Sequence, residues 1–148
     1  MTDNGNTGEF TMQIPSAKSL DTDFMFTKLI VADLDAATAF YASVVGLVEM
    51  QRVEAVIDGR AVTEVAYMPT CPGGPMFVLA RFHDAPAPAT SELIMGFAAQ
   101  DLDGFVTRAT ACGGTLIEAP REIPGAGMRV AFVADTEGHI LQVTQMLG

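Results

Sequence analysis

Apolar and polar positions fall into blocks whose period changes along the chain. "FMFTKLIVAD" (Phe24–Asp33) is a short β-branched and aromatic run closing on Asp, the composition of a strand that feeds a helix. In "DLDAATAFYASVVGL", Leu34, Ala37, Phe40, Tyr41 and Val44 recur at helical spacing. Asp33 or Asp35 can cap the start, and Gly46 supplies the stop. Three strand-like runs follow, "LVEMQRVEAVI", "RAVTEVAYM" and "PMFVLARF", separated by the turn signals "DGR" and "PTCPGGP". "HDAPAPATSE" lacks any period and reads as a linker. The sequence of elements then repeats. "LIMGFAAQD" is a strand ending in Asp101. "DLDGFVTRATACGG" is a helix with Leu102, Phe105, Val106 and Ala109 on one face. "TLIEAPREI", "MRVAFVADT" and "HILQVTQM" are three more strands, joined by "PGAG" and the tight turn "DTEGH".

A β-α-β-β-β unit therefore occurs twice. "VADLDAATAF" aligns with "AQDLDGFVTR", and Asp101 and Asp103 each follow Asp33 and Asp35 by 68 positions. The same offset superposes the preceding strand, the helix and its Gly stop, and agreement at several levels outweighs a single short match. One such unit has a sheet with a helix on one face and the other face bare, and that bare face needs a partner. Two units predict an α+β fold with an eight-stranded cup, a natural ligand site. The expected organisation is a tail or arm over 1–23, a first unit over 24–82, a linker over 83–91 and a second unit over 92–148.

Composition narrows the function. A hydrophobic content of 49% supports a sizeable core. A net charge of −10, with no basic run, argues against nucleic acid, although it biases long-range encounter towards cationic ligands. No apolar stretch approaches membrane-spanning length, and the start has neither a basic nor an apolar leader region. Cys71 and Cys112 form no paired motif and read as free thiols of a cytoplasmic protein, Cys71 in a turn and Cys112 on a helix flank facing the core.

"LIVADLDAATAFYASVVGL" and "GGTLIEAPREIPGAGMRVAFVADTEGHILQV" together resemble the glyoxalase / bleomycin-resistance / extradiol-dioxygenase superfamily, also called vicinal oxygen chelate proteins. The family pattern in the second stretch is Phe-x-x-Asp-Pro-Asp/Glu-Gly-Asn-x-Ile-Glu-Leu. This chain keeps Phe132, Asp135, Glu137 and Gly138, but has Thr136 for Pro, His139 for Asn and Gln142 for Glu. The superfamily hosts isomerases, dioxygenases, thiol transferases and drug-sequestering proteins, so the resemblance implies fold more strongly than activity.

Metal-dependent members hold one divalent ion in the cup through two ligands per unit, usually a His on the first strand and a Glu on the last. Carried over, those positions are Phe26, Val78, Ile94 and Gln142. Divalent ions need charged or strongly donating ligands. Three of the four offer none, so the resemblance implies a cup without a metal or other cofactor.

Strand alternation assigns Phe26, Lys28 and Ile30 to the cup, with Met76, Val78, Ala80 and Phe82, then Ile94, Gly96 and Ala98, then Ile140, Gln142 and Thr144, and Met128, Val130 and Phe132. Such a face suits a flat or aromatic ligand; it is equally the composition of a face sealed by side chains. The expected function is metal-independent binding of an apolar or aromatic small molecule, with Phe26, Lys28, Val78, Ile94, Phe132 and Gln142 as contact residues and no catalytic residue. A homodimer is expected from the resemblance. The rival is a glyoxalase-I-like lyase or isomerase, for which Glu64 and Glu92 are candidate bases if they turn inward. A third reading is an interaction module whose cup is closed by side chains or a partner chain. On the sealed-face reading Lys28 snorkels to solvent; His83 is expected to be a solvated linker residue, and His139 to cap the turn.

Overall fold

The computed structural model describes residues 21–22, 24–85 and 93–148. The tail over 1–23 and the linker over 83–91 therefore lie largely outside the described residues, as does Glu92. The elements run β1 (Phe26–Ile30), α1 (Leu34–Val44), β2 (Glu49–Ile57), β3 (Arg60–Tyr67), β4 (Met76–Phe82), β5 (Ile94–Ala98), α2 (Leu102–Ala111), β6 (Thr115–Ile123), β7 (Met128–Ala134) and β8 (Ile140–Met146). Their order is the doubled β-α-β-β-β pattern of the sequence. The eight strands divide into two four-stranded sheets, β1-β4-β3-β2 and β5-β8-β7-β6. In each, the first strand pairs in parallel with the fourth and the remaining ladders are antiparallel.

The helix starts are built alike. Asp33 and Asp101 are the N-caps, each with its carboxylate 3.0 Å from an amide three residues on, that of Ala36 and of Gly104, a contact worth about 1 kcal/mol. Both helices unwind just ahead of a glycine in the left-handed region, Gly46 at φ 79° and Gly113 at φ 92°, where a β-carbon is disfavoured. The turn at Gly113 also corrects the expectation for Cys112. Helical spacing alone places it below Ala109 on the core face, but it is the C-cap of α2 and its side chain is exposed.

Leu34, Ala37, Phe40, Tyr41 and Val44 of α1 and Leu102, Phe105 and Ala109 of α2 are the buried helix residues. They join Leu29, Val31, Val65, Leu79, Met95, Val133, Leu141 and Val143 in one core that spans both halves of the chain. Burying each Leu, Phe or Val side chain is worth roughly 1.5–3 kcal/mol, more than the β-branched residues of either helix cost in propensity. The halves also meet through α1 against α2 and through an aromatic chain. Tyr41 lies 5.1 Å from Phe77, and Phe77 lies 6.5 Å from Phe97, centroid to centroid.

Candidate functional site

Alternation along each strand leaves one face of each sheet without a helix. On it stand Phe26, Lys28 and Ile30 of β1 beside Met76, Val78 and Ala80 of β4, and Ile94, Gly96 and Ala98 of β5 beside Ile140, Gln142 and Thr144 of β8. Val62, Glu64 and Ala66 of β3 pair with Phe82, Ala80 and Val78. Met128, Val130, Phe132 and Ala134 of β7 pair with Met146, Thr144, Gln142 and Ile140.

Val62, Ala66, Val78, Ala80, Val130 and Ala134 are buried, yet none belongs to the helix-side core. They form a floor of small apolar side chains on the helix-free faces. The edge-strand residues beside that floor stay open, with Phe26 42% and Ile94 54% exposed. The buried floor and the exposed edge residues share these faces.

The two halves use the same register. Lys28 stands beside Val78 as Gly96 stands beside Gln142, each third in its parallel ladder. That equivalence fixes Val78 as the counterpart of Gln142 and Phe26 as the counterpart of Ile94. The four side chains share the helix-free faces, but three have no donor atom and the fourth has only a neutral amide. This donor set does not fit a divalent ion. Among the described residues, no group of three or more His, Cys, Asp and Glu is placed to hold one.

Lys28 stays partly open to solvent, its side chain 25% exposed, and it also crosses β4 on the helix-free face, where its Nζ donates to Glu64 Oε1 at 2.5 Å. Nζ also lies 5.1 Å from the centroid of the Phe26 ring. Glu64, whose direction alternation left open, therefore turns onto the same face as Lys28. Phe132 and Gln142 are neighbours on the second sheet, and both are half-buried. The Gln142 amide makes no hydrogen bond to another described residue.

The arginines divide by position. Arg60 stacks on Phe82 with 3.8 Å between its guanidinium carbon and the ring centroid while pairing with Asp84. Arg52 pairs with Glu49, Arg121 with Glu118 and Arg129 with Asp103. An open groove of about 480 Å³ beside the start of α1 is lined by Asp33, Asp35, Arg52, Thr63 and Arg81. Its arginines are already engaged, Arg52 by Glu49 and Arg81 by the Ala32 carbonyl.

His83 is solvent-exposed, as expected, and is also tied down: its ring nitrogen lies 2.7 Å from Thr63 Oγ1 and its amide extends the β3–β4 ladder to Ala61.

The turn between β7 and β8 does more than close a hairpin. His139 and Asp135 are 3% and 5% exposed. The Asp135 carboxylate accepts the amides of Glu137 and His139 at 2.9 Å each. It also accepts the His139 ring Nδ1 and, at 2.9 Å, the Tyr41 hydroxyl. Glu137 reaches from the same turn to the amides of Ala32 and Asp33 at 2.7 and 2.9 Å. One acidic turn of the second half thus fastens the start and middle of α1 in the first.

Both tyrosines of the chain are held in the neutral form. Burial, then the charge and hydrogen bond of Asp135, push the Tyr41 hydroxyl far above its ordinary value near 10. Burial, then the charge of Glu49, push Tyr67 up to about 12. A raised folded-state pKa gives stability that is complete below the unfolded value and is lost as pH rises beyond it. Phenolate absorbance, which these two residues alone supply, is therefore expected to stay low just above pH 10 and to appear together with loss of circular dichroism at higher pH. A smooth titration centred at 10 in folded protein would contradict this.

A glyoxalase-like domain family model matches residues 25–144. A glyoxalase family protein from Bacillus cereus superposes with a TM-score of 0.72 at 21% identity, covering 92% of this chain and 100% of that one. A glyoxalase/bleomycin resistance protein/dioxygenase family enzyme from Burkholderia phytofirmans PsJN gives 0.65 at 21% identity, covering 85% of this chain and 100% of that one. Glyoxalase I from Zea mays gives 0.66 at 15% identity, covering 84% of this chain and 47% of that one. Comparison with curated proteins gives no match. The doubled unit, its shared strand register and a family match over most of the length lead to one conclusion: the chain belongs to the glyoxalase-like domain family.

Proposed function

We propose that this chain is a metal-independent small-molecule binding protein that takes an apolar or aromatic ligand onto the helix-free sheet faces. The observation that carries the reading is the donor set. Phe26, Val78 and Ile94 supply apolar surface where a metal-dependent relative needs ligands, and Gln142 supplies one neutral amide. Phe26, Lys28, Val78, Ile94, Phe132 and Gln142 are the proposed contacts. Binding is burial of a flat ligand over small side chains, with Lys28 and Gln142 as polar anchors.

The protein is read as a homodimer. Phe24, Met25 and Phe26 form an exposed apolar run entering β1, and Ile94 is exposed on β5; such patches support association. Sedimentation should return twice the 15.6 kDa of one chain. Free, exposed Cys71 and Cys112 support a reducing, cytoplasmic setting. No helix among the described residues is long and apolar enough to cross a membrane.

Elemental analysis of purified protein is expected to find no stoichiometric divalent metal, and planar aromatic compounds should raise its melting temperature. A bound divalent metal that supports turnover of a hemithioacetal would replace this reading with a glyoxalase-I-like lyase or isomerase. The position of Glu64 favours that alternative, because a carboxylate on the helix-free face is placed to accept a proton from a bound substrate.

A further inference from the structure

We propose that Lys28 and Glu64 act together as an adjacent donor and acceptor that read the edge of a planar ligand carrying a neighbouring N–H and C=O, as a cyclic amide does. This rests on the ligand-binding reading and specifies its ligand class.

The pair is set apart from the surface ion pairs. Its side chains are 25% and 14% exposed, against 41% and 54% for Arg60 and Asp84. It lies across Val78 and Ala80, which are buried apolar residues. Removing two charges from water over such a floor costs about as much as their attraction returns, so stability is a poor reason for the pair to be there.

The second half of the chain supplies an internal control. In the matched register, Gly96 takes the place of Lys28, and Val130, beside Thr144, takes the place of Glu64, beside Ala80. The same sheet is built there without either charge. The fold does not need the pair.

The bonding capacity left over defines what the pair can recognise. An ammonium has three donors, and one is given to Glu64. Only Oε1 of Glu64 is engaged among the described residues. A free N–H of Lys28 and a free oxygen of Glu64 therefore stand side by side. A lone carboxylate on the ligand would meet the charge of Glu64, and a lone ammonium would meet that of Lys28. A neutral edge with an acceptor beside a donor satisfies both. Met76 and Phe82 flank the pair on β4 and offer apolar surface for the ring system behind that edge.

The test titrates isoquinolin-1(2H)-one and its N-methyl derivative, which lacks the donor, into wild-type protein, Lys28→Met, Glu64→Met and the double variant. Calorimetry reads affinity, circular dichroism reads folding and sedimentation reads assembly. Wild type should prefer the N–H lactam by about tenfold, the size expected for one hydrogen bond to a charged group. Glu64→Met should remove that preference and leave the N-methyl affinity within about twofold, whereas Lys28→Met, which removes the donor to the carbonyl both compounds carry, should weaken both by about tenfold and keep the preference. The double variant mirrors the uncharged second half, so it should fold and bind the two compounds alike.

Equal binding of both lactams to wild type would overturn the edge-reading role while leaving the ligand site standing. No binding of either to wild type would overturn both. Loss of the dimer in Glu64→Met with the lactam preference intact would assign the pair to contact between copies and overturn the inference.

Discussion

Asp135→Ala is expected to cost about 3–5 kcal/mol of unfolding free energy, the range for removing one partner from a buried charged network. Four donors converge on this carboxylate: the Tyr41 hydroxyl, the His139 ring and the amides of Glu137 and His139. Alanine leaves all of them facing a space they cannot fill, in a site that is 3–5% exposed. At this chain length the loss corresponds to a melting point lower by roughly 10 °C. Asp135→Asn keeps an acceptor for the two amides but not for every donor, so it should fall in between. Tyr41→Phe removes a single hydrogen bond and should cost about 1 kcal/mol. Equilibrium urea unfolding of the three variants reads the series. If Asp135→Ala stays within about 1 kcal/mol of wild type, the turn is not what fastens the halves together.

The fold was legible because two periods are written plainly in the chain. The apolar positions chosen for α1 from helical spacing are the ones its buried face uses, Leu34, Ala37, Phe40, Tyr41 and Val44. The repeat aligned Asp33 with Asp101, and the cap that the sequence left open between Asp33 and Asp35 falls to Asp33 in the first unit and to its partner Asp101 in the second. What escaped was contact between distant segments. Asp135 and Glu137 read as hairpin residues, and nothing local says that they reach Tyr41 and the amides of Ala32 and Asp33. His139 is ordinary in a turn, and nothing local says that it is buried with its ring against the Asp135 carboxylate.

The helix-free face was legible in outline for the same reason. Strand parity put Phe26, Lys28 and Ile30 on one face, and the ladders keep them there. Parity failed for Glu64 because "AVTEVAY" is apolar at both odd and even positions, so the strand does not announce which face is buried. Pairing with Ala80 decides it. A lysine in a strand ordinarily extends to water; Lys28 keeps part of that exposure but turns its ammonium to a carboxylate two strands away. The signal that could have found the pair was the repeat, since Lys28 aligns by offset with a glycine, and a charge present in only one of two equivalent units has no common structural cause.

Gly96→Trp should separate function from folding most sharply, reducing the affinity for planar aromatic compounds by more than tenfold with little change in stability. Gly96 lies on the edge strand β5 beside Gln142, and a β-carbon built there meets nothing within 4 Å. Its backbone is not in the left-handed region, so a side chain introduces no strain, and an aromatic residue suits a strand better than glycine does. The added indole would occupy the space that a ligand beside Gln142 and Phe132 needs. Isoquinolin-1(2H)-one titrated into wild type and Gly96→Trp, with urea unfolding of both, gives the two quantities independently. Unchanged binding would place the ligand away from the helix-free face of the second sheet. Lost binding with an unchanged unfolding midpoint would tie recognition to this face, because a variant that folds normally and cannot bind has lost only the space.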